Sequence, residues 1–184
     1  MSVVRLGAVG YLNARPLVHG LERDPRVRLR FDAPSVCAAL LHAGEIDLGL
    51  IPSIEYLRGP AYDVVPGIAI ASDGPVASVA LFSTVPPERI RSIAVDTSSR
   101  TSAALLAVLC AHRFGIAPRL EPAPPDPDAM LARHDAALLI GDAALFLDHE
   151  ARGLVKIDLG EAWTAMTGLP FVWAFWAGRP GAGD

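Results

Sequence analysis

Short apolar runs of strand length alternate with helix-length segments along this chain, and this alternation restricts the possible folds more than any other feature of the sequence. In the first half the predicted strands cover residues 3–9, 27–31 and 46–51, of which 27–31 alternates apolar residues with arginine, and each is followed by a segment of helical character. Strands that alternate with helices form a parallel sheet with crossover connections. The alternation begins again after about residue 84, which predicts a second α/β lobe rather than one long sheet.

We therefore predict an α/β protein in the form of a two-lobed clamshell, in which each lobe is a parallel-rich sheet flanked by helices. The predicted first lobe covers residues 1–83, and the second covers residues 84–167. Residues 168–184 contain a strongly apolar strand that we expect to return to the first lobe. Because ligands of such sheets bind beyond the carboxyl ends of the strands, the predicted site is the cleft between the lobes.

The charge and composition of the chain exclude several classes of protein. A formal net charge of −4, a single lysine (Lys156) and scattered arginines provide no concentrated basic surface for nucleic acid. No apolar run reaches the ~20 residues of a membrane helix, and the first residues lack the features of a signal peptide, so we expect a cytoplasmic protein without a membrane partner. Cys37 and Cys110 have no metal or redox spacing and are expected to be buried thiols.

A hydroxyl-rich turn lies between a predicted strand and a predicted helix within residues 93–109. The N–H groups and the positive end of the macrodipole at such a helix start favour a carboxylate. The residues expected to bind an anionic substrate here are Ser99, Arg100, Thr101 and Ser102. The alternative interpretation is that the hydroxyl side chains only cap the helix.

No sequence motif indicates a metal, a nucleotide or a serine nucleophile. The five histidines stand singly and are expected to be surface or capping residues, and there is no phosphate loop, dinucleotide fingerprint or nucleophile elbow. We accordingly expect no metal and no cofactor. Further substrate contacts are expected from Ser53, Ser78 and Asp142, which lie at or near the ends of predicted strands. Hydroxyls, amides and helix starts can hold a carboxylate or polarise a leaving group, but they do not make a strong base.

Five motifs occur in order over essentially the whole chain. They are GYLNARPL at residues 10–17, DLGLIPS at 47–53, SDGPV at 72–76, DTSSRTS at 96–102 and TGLPFV at 167–172. Together they resemble the chorismate dehydratases of the futalosine route to menaquinone. The resemblance implies a periplasmic-binding-protein-like fold of type two and the conversion of chorismate to 3-(1-carboxyvinyloxy)benzoate with loss of water. It also implies a helical segment after the last strand, which we expect to be absent from a chain that stops at Asp184.

Asn13 matches the asparagine of the family's opening motif, and we predict that it is catalytic. Its amide can hold the C4 hydroxyl of chorismate and orient the enolpyruvyl carboxylate towards the proton at C3. Because no histidine or lysine base is expected at the site, that substrate carboxylate is one candidate for the proton acceptor, and a group of the protein is the other. The alternative interpretation is that Asn13 only caps the helix that begins near Pro16.

Two non-catalytic classes share the predicted fold. A solute receptor of a transporter binds small carboxylates but normally carries a signal peptide, and the effector-sensing half of a transcription regulator would follow a helix-turn-helix domain. This chain opens directly with the first predicted strand. On the family resemblance we predict an enzyme, a hydro-lyase of menaquinone biosynthesis whose partner is chorismate, and keep a small-carboxylate binding protein as the alternative.

Overall fold

The computed structural model describes residues 3–182, which form two compact α/β units. The first unit contains the described residues up to Ala71 together with those from Val172 onward, and the second unit covers Ser72–Phe171. Each unit has its own five-stranded sheet. The outermost residues of the first and last predicted segments, 1–2 and 183–184, lie outside the described residues.

The strands and helices alternate along both units. The strands are β1 (Val4–Val9), β2 (Val27–Asp32), β3 (Leu48–Pro52), β4 (Asp63–Ser72), β5 (Val79–Ser83), β6 (Ser92–Asp96), β7 (Arg119–Ala123), β8 (Ala136–Ile140), β9 (Val155–Asp158) and β10 (Phe171–Gly178). The α-helices are α1 (Arg15–Val18), α2 (Pro34–Ala43), α3 (Ser53–Arg58), α4 (Arg100–Leu109), α5 (Pro127–Leu131), α6 (Gly141–Leu145) and α7 (Leu159–Thr167). None of these described helices is both long and apolar enough to span a membrane.

In the first unit the strands lie in the order β2-β1-β3-β10-β4. β1 runs parallel to β2 and β3, whereas β10 runs antiparallel to β3. The carboxyl ends of β1, β2 and β3 therefore meet at one edge of the sheet, together with the amino end of β10. Leu6, Leu50 and Trp176 pack in the buried core with Cys37 of α2, and burial raises the pKa of the Cys37 thiol to about 11. Cys37 and Cys110 are both buried, as predicted.

In the second unit the strands lie in the order β7-β6-β8-β5-β9. β6 runs parallel to β7 and β8, while β5 lies antiparallel between β8 and β9. The carboxyl ends of β6, β7, β8 and β9 therefore share one edge with the amino end of β5, and α4 to α7 begin at that edge. Phe82, Ala94 and Leu139 from three of these strands form the buried core with Met130 of α5.

The boundary between the units differs from the predicted boundary at residues 83 and 84. Strand β5 pairs Val79 with Ile140 and Ser83 with Ala136, and this register places it in the middle of the second sheet. The second unit therefore begins at Ser72. The apolar run of β5 favours a buried strand but carries no information on which sheet the strand joins.

Candidate functional site

The turn that joins β6 to α4 is held by side chains that bond to one another. The buried carboxylate of Asp96 accepts hydrogen bonds from the backbone N–H of Ser98 at 2.8 Å and from the Ser98 hydroxyl at 2.6 Å. Ser99 is the N-cap of α4: its Oγ accepts from the N–H of Ser102 at 3.4 Å and donates to the Ser102 hydroxyl at 2.6 Å. Ser99 therefore does cap the helix, and the paired hydroxyls fix the first turn of α4.

The other predicted anion-binding residues lie in this first turn of α4. Arg100 is the first helical residue and is half-buried, whereas Thr101 and Ser102 are 6% and 2% exposed. The hydroxyl of Ser102 is already engaged by Ser99. An anion at this turn would therefore be attracted by the positive end of the ten-residue helix α4 more than by its hydroxyl groups.

The loop that leads into β5 lies at the same edge of the second sheet. Asp158, the last residue of β9, caps α7 and also accepts hydrogen bonds from the N–H groups of Val76 at 3.1 Å and Ala77 at 2.7 Å. The carbonyl of Ser78, the next residue of this loop, accepts from the N–H of Gly141 at 2.8 Å. These bonds place Ser78, which is half-buried, beside the start of α6.

Asp142 is the second residue of α6 and is exposed. Because β6 and β8 are neighbouring parallel strands, the helices that follow them, α4 and α6, begin at adjacent positions of the edge. The second unit thus gathers six predicted contact residues at one edge of its sheet. They are Ser78, Ser99, Arg100, Thr101, Ser102 and Asp142.

Sequence reasoning missed Asp158, although a signal for it exists. An aspartate followed three residues later by Glu161, just before an apolar helical run, is typical of a helix N-terminus. That pattern predicts the cap of α7, since Asp158 accepts from the N–H groups of Gly160 and Glu161 at 2.9 and 3.0 Å. It does not predict the bonds to residues 76 and 77, because these depend on the pairing of β5 with β9.

Asn13 and Ser53 lie at the carboxyl edge of the first sheet. Asn13 is exposed in a 3-10 turn (Leu12–Ala14) directly after β1, and Ser53 is the half-buried first residue of α3, directly after β3. β1 and β3 are neighbours, so the two residues follow adjacent strands. The N-cap of α1 is Ala14, and the Asn13 side chain makes no hydrogen bond with any residue from 3 to 182. The hypothesis that Asn13 caps the helix is therefore wrong.

A buried polar network supports α3 from within the first unit. Nε2 of His42 lies 3.0 Å from Oε2 of Glu55, and Nδ1 of His42 lies 2.6 Å from the Tyr62 hydroxyl. Glu55 is 3% exposed, and burial raises the pKa of Tyr62. The expectation that every histidine is a surface or capping residue is wrong for His42, which joins α2 to α3. Among residues 3–182, no group of three or more histidine, cysteine or acidic side chains could hold a metal ion.

Comparisons with known proteins agree with this arrangement of motifs. A family model described as menaquinone biosynthesis matches residues 4–184. A chorismate dehydratase from Thermus thermophilus is 34% identical over 190 residues, which cover 95% of this chain and 69% of the relative. The chain belongs to the menaquinone biosynthesis family. The resemblance seen in the five sequence motifs is thereby confirmed.

Solved structures establish the fold of this member of the menaquinone biosynthesis family. A protein from Archaeoglobus fulgidus matches with a TM-score of 0.73 at 16% identity, over 97% of this chain and 68% of that one. The ligand-binding component of an ABC-type import system from Staphylococcus aureus matches with a TM-score of 0.60 at 14% identity, over 97% and 66%. The predicted α/β fold class, two compact units that each hold a sheet flanked by helices, is confirmed and is like the fold of that ligand-binding component. Both sheets are mixed, because β10 in the first and β5 in the second run antiparallel to a neighbouring strand.

Proposed function

We propose that this chain is a chorismate dehydratase, a hydro-lyase that converts chorismate to 3-(1-carboxyvinyloxy)benzoate and water. The observation that carries the proposal is the 34% identity with the dehydratase of T. thermophilus, which extends over 95% of the chain. The matching family model, described as menaquinone biosynthesis, supports a reaction of that route.

The chemistry of the substrate fits the residues that this chain offers. Loss of the C3 proton and the C4 hydroxyl turns the ring of chorismate into an aromatic ring, and the stability of that ring drives the reaction. The enzyme then has to supply orientation and hydrogen bonds more than a strong base. Asn13 suits this task because its amide, which both donates and accepts, is exposed and makes no hydrogen bond within residues 3–182.

In the proposed mechanism Asn13 holds the departing C4 hydroxyl and keeps the enolpyruvyl carboxylate of the substrate pointed at the C3 proton. The carboxylate takes the C3 proton, the C3–H electron pair forms the new ring double bond, and the C4–O bond breaks. The carboxylic acid so formed passes the proton to the departing hydroxide, which leaves as water, and the carboxylate is restored in the product. The substrate contacts predicted for the second unit remain predictions: Ser78, Ser99, Arg100, Thr101, Ser102 and Asp142. The contact predicted for Ser53 of the first unit also remains a prediction.

Incubation of the purified chain with chorismate tests the proposal. We expect chorismate to disappear and its aromatic enolpyruvyl ether to form, both measured by chromatography with ultraviolet detection. The rate of turnover should be the same with and without EDTA. A sample without protein is the control for spontaneous decay of chorismate. If chorismate disappears no faster with folded protein than in that control, the proposed function is refuted.

The alternative, a binding protein for small carboxylates, predicts a different result in the same samples. Calorimetry would then show saturable binding of chorismate while chromatography shows no product. Turnover faster than the control excludes that alternative, because a binding protein releases its ligand unchanged.

A further inference from the structure

One carboxylate in the second unit holds backbone N–H groups from two separate segments. Oδ1 of Asp158 accepts from the N–H groups of Gly160 at 2.9 Å and Glu161 at 3.0 Å, which lie in the first turn of α7. Oδ2 accepts from Ala77 at 2.7 Å, and Val76 lies 3.1 Å from each oxygen. Asp158 therefore fastens the loop of residues 73–78 to the start of α7.

The helix reinforces this attachment at two further points. The hydroxyl oxygen of Thr164 accepts a hydrogen bond from the N–H of Gly74 at 3.0 Å. Gly160 packs so closely against the loop that a Cβ atom at this position would lie 2.6 Å from the carbonyl oxygen of Gly74 and 2.9 Å from Oγ of Ser72. The contact between α7 and the loop thus needs both the carboxylate and the absence of a side chain at Gly160.

The loop held in this way has an unusual backbone conformation. Ala77 has a φ of 59°, and within residues 3–182 no other non-glycine residue has a positive φ. L-residues rarely adopt this left-handed conformation, and it persists where the surroundings enforce it, often at functional sites. The shortest bond to the Asp158 carboxylate, at 2.7 Å, comes from the N–H of this same residue. The turn is closed by the N–H of Ser78, which donates to the carbonyl of Val76 at 2.6 Å, and Asp158 anchors it from outside through the N–H groups of Val76 and Ala77.

The turn at Ala77 determines where the next residue lies. Ser78 follows directly, and its carbonyl accepts from the N–H of Gly141 at 2.8 Å, so that the loop reaches the start of α6 at the carboxyl edge of the sheet. In open α/β sheets, ligands bind beyond the carboxyl ends of the strands, which is the edge that Ser78 reaches here.

We propose that Asp158 is a positioning residue for the dehydration: it fixes the loop of residues 73–78 and thereby places Ser78 for contact with the substrate. The proposal rests on the proposed function, because the effect on turnover requires that the chain act on chorismate. Asp158 itself does not contact the substrate in this scheme. It acts through the backbone N–H groups of Val76 and Ala77.

The substitution Asp158→Asn separates the two tasks of this carboxylate. An asparagine can keep its oxygen at the α7 cap, since asparagine is also a good N-cap, but its NH2 group then faces the N–H of Ala77, donor against donor. The matched control is Asp126→Asn. Asp126 caps α5 through the N–H groups of Asp128 and Ala129, both at 3.1 Å, and within residues 3–182 its side chain holds no second segment.

Two measurements are made on both variants and on the unsubstituted chain: kcat/KM with chorismate, well below the unfolding temperature, and amide hydrogen exchange at Ala77. For Asp158→Asn we expect faster exchange at Ala77 and a loss in kcat/KM of about tenfold to a hundredfold, the scale of a misplaced contact group. For Asp126→Asn we expect unchanged exchange at Ala77 and a kcat/KM within about twofold, as for a surface cap.

Unaltered exchange at Ala77 in Asp158→Asn, or a loss in kcat/KM no greater than that of Asp126→Asn, would overturn the proposal. A lower unfolding temperature alone would not support it, since both substitutions affect a helix cap. If the unsubstituted chain does not turn over chorismate, the proposed function fails by itself, and exchange at Ala77 still decides whether Asp158 holds the loop.

Discussion

Replacing Asn13 by serine should lower turnover sharply and leave the fold unchanged. The Asn13 side chain is exposed, lies outside the N-cap position of α1 and makes no hydrogen bond within residues 3–182, so the substitution removes no contact of the folded chain. The free energy of unfolding should therefore change by less than about 0.5 kcal/mol, the usual range for surface positions. If the amide orients chorismate, kcat should fall about a hundredfold, the effect of removing one preorganised donor, which corresponds to about 2.7 kcal/mol in activation free energy.

The assay pairs chorismate turnover with urea denaturation of the same preparations. Glu150→Ser is the control, because Glu150 is an exposed residue in a turn whose side chain makes no hydrogen bond or ion pair within the described residues 3–182. A variant Asn13→Ser that keeps nearly full turnover would refute the catalytic assignment. A variant that loses turnover and stability together would refute the view that the side chain has no structural role.

Two further predictions concern stability. Phe82 is fully buried, so Phe82→Ala should lower the free energy of unfolding by about 3–5 kcal/mol, whereas Phe146→Ala, at a position 76% exposed, should change it little; equal losses in urea denaturation would contradict the assignment of the core. Asp135 accepts from the N–H groups of Arg91 and Ser92 at 2.8 and 2.9 Å, and these bonds lower its pKa. Its contribution to stability should be present above the unfolded-state pKa of about 3.9 and be lost as the pH falls further, so Asp135→Asn should cost more stability at pH 7 than at pH 3; a cost independent of pH would contradict this.

Much of the fold could be predicted because strand and helix patterns are local. The strand predicted at residues 27–31 becomes β2 (Val27–Asp32), which begins at the predicted residue and ends one residue later. The apolar residues of β5 favour a strand, but the predicted boundary after residue 83 places them in the first lobe, whereas β5 belongs to the second unit. Sheet membership depends on pairing with β8 and β9, which lie more than fifty residues further along the chain in sequence.

The candidate site also has features that the local sequence predicts and features that depend on residues far apart in sequence. A hydroxyl cap for α4 follows from the local sequence, because serine and threonine are preferred N-caps before a run of alanine and leucine. The local sequence leaves Thr97, Ser98 and Ser99 equally open, and the structure shows that the cap is Ser99. The contacts of His42 with Glu55 and Tyr62 could not be predicted, because these partners lie in other parts of the chain and no spacing rule connects them with His42. The second attachment of Asp158 was missed for the same physical reason.

The position of β10 has a consequence for the order in which the chain folds. The second unit is formed by one continuous segment, Ser72–Phe171, so all of its strands are synthesised before β10. The first sheet is different, because β10 lies between β3 and β4. Until β10 is synthesised, β3 exposes one edge and β4 has no neighbour on its β10 side. Contacts between segments so far apart in sequence form slowly, so the first unit should acquire protected strand amides after the second, and its incomplete edge is where a newly made chain is most exposed to mispairing.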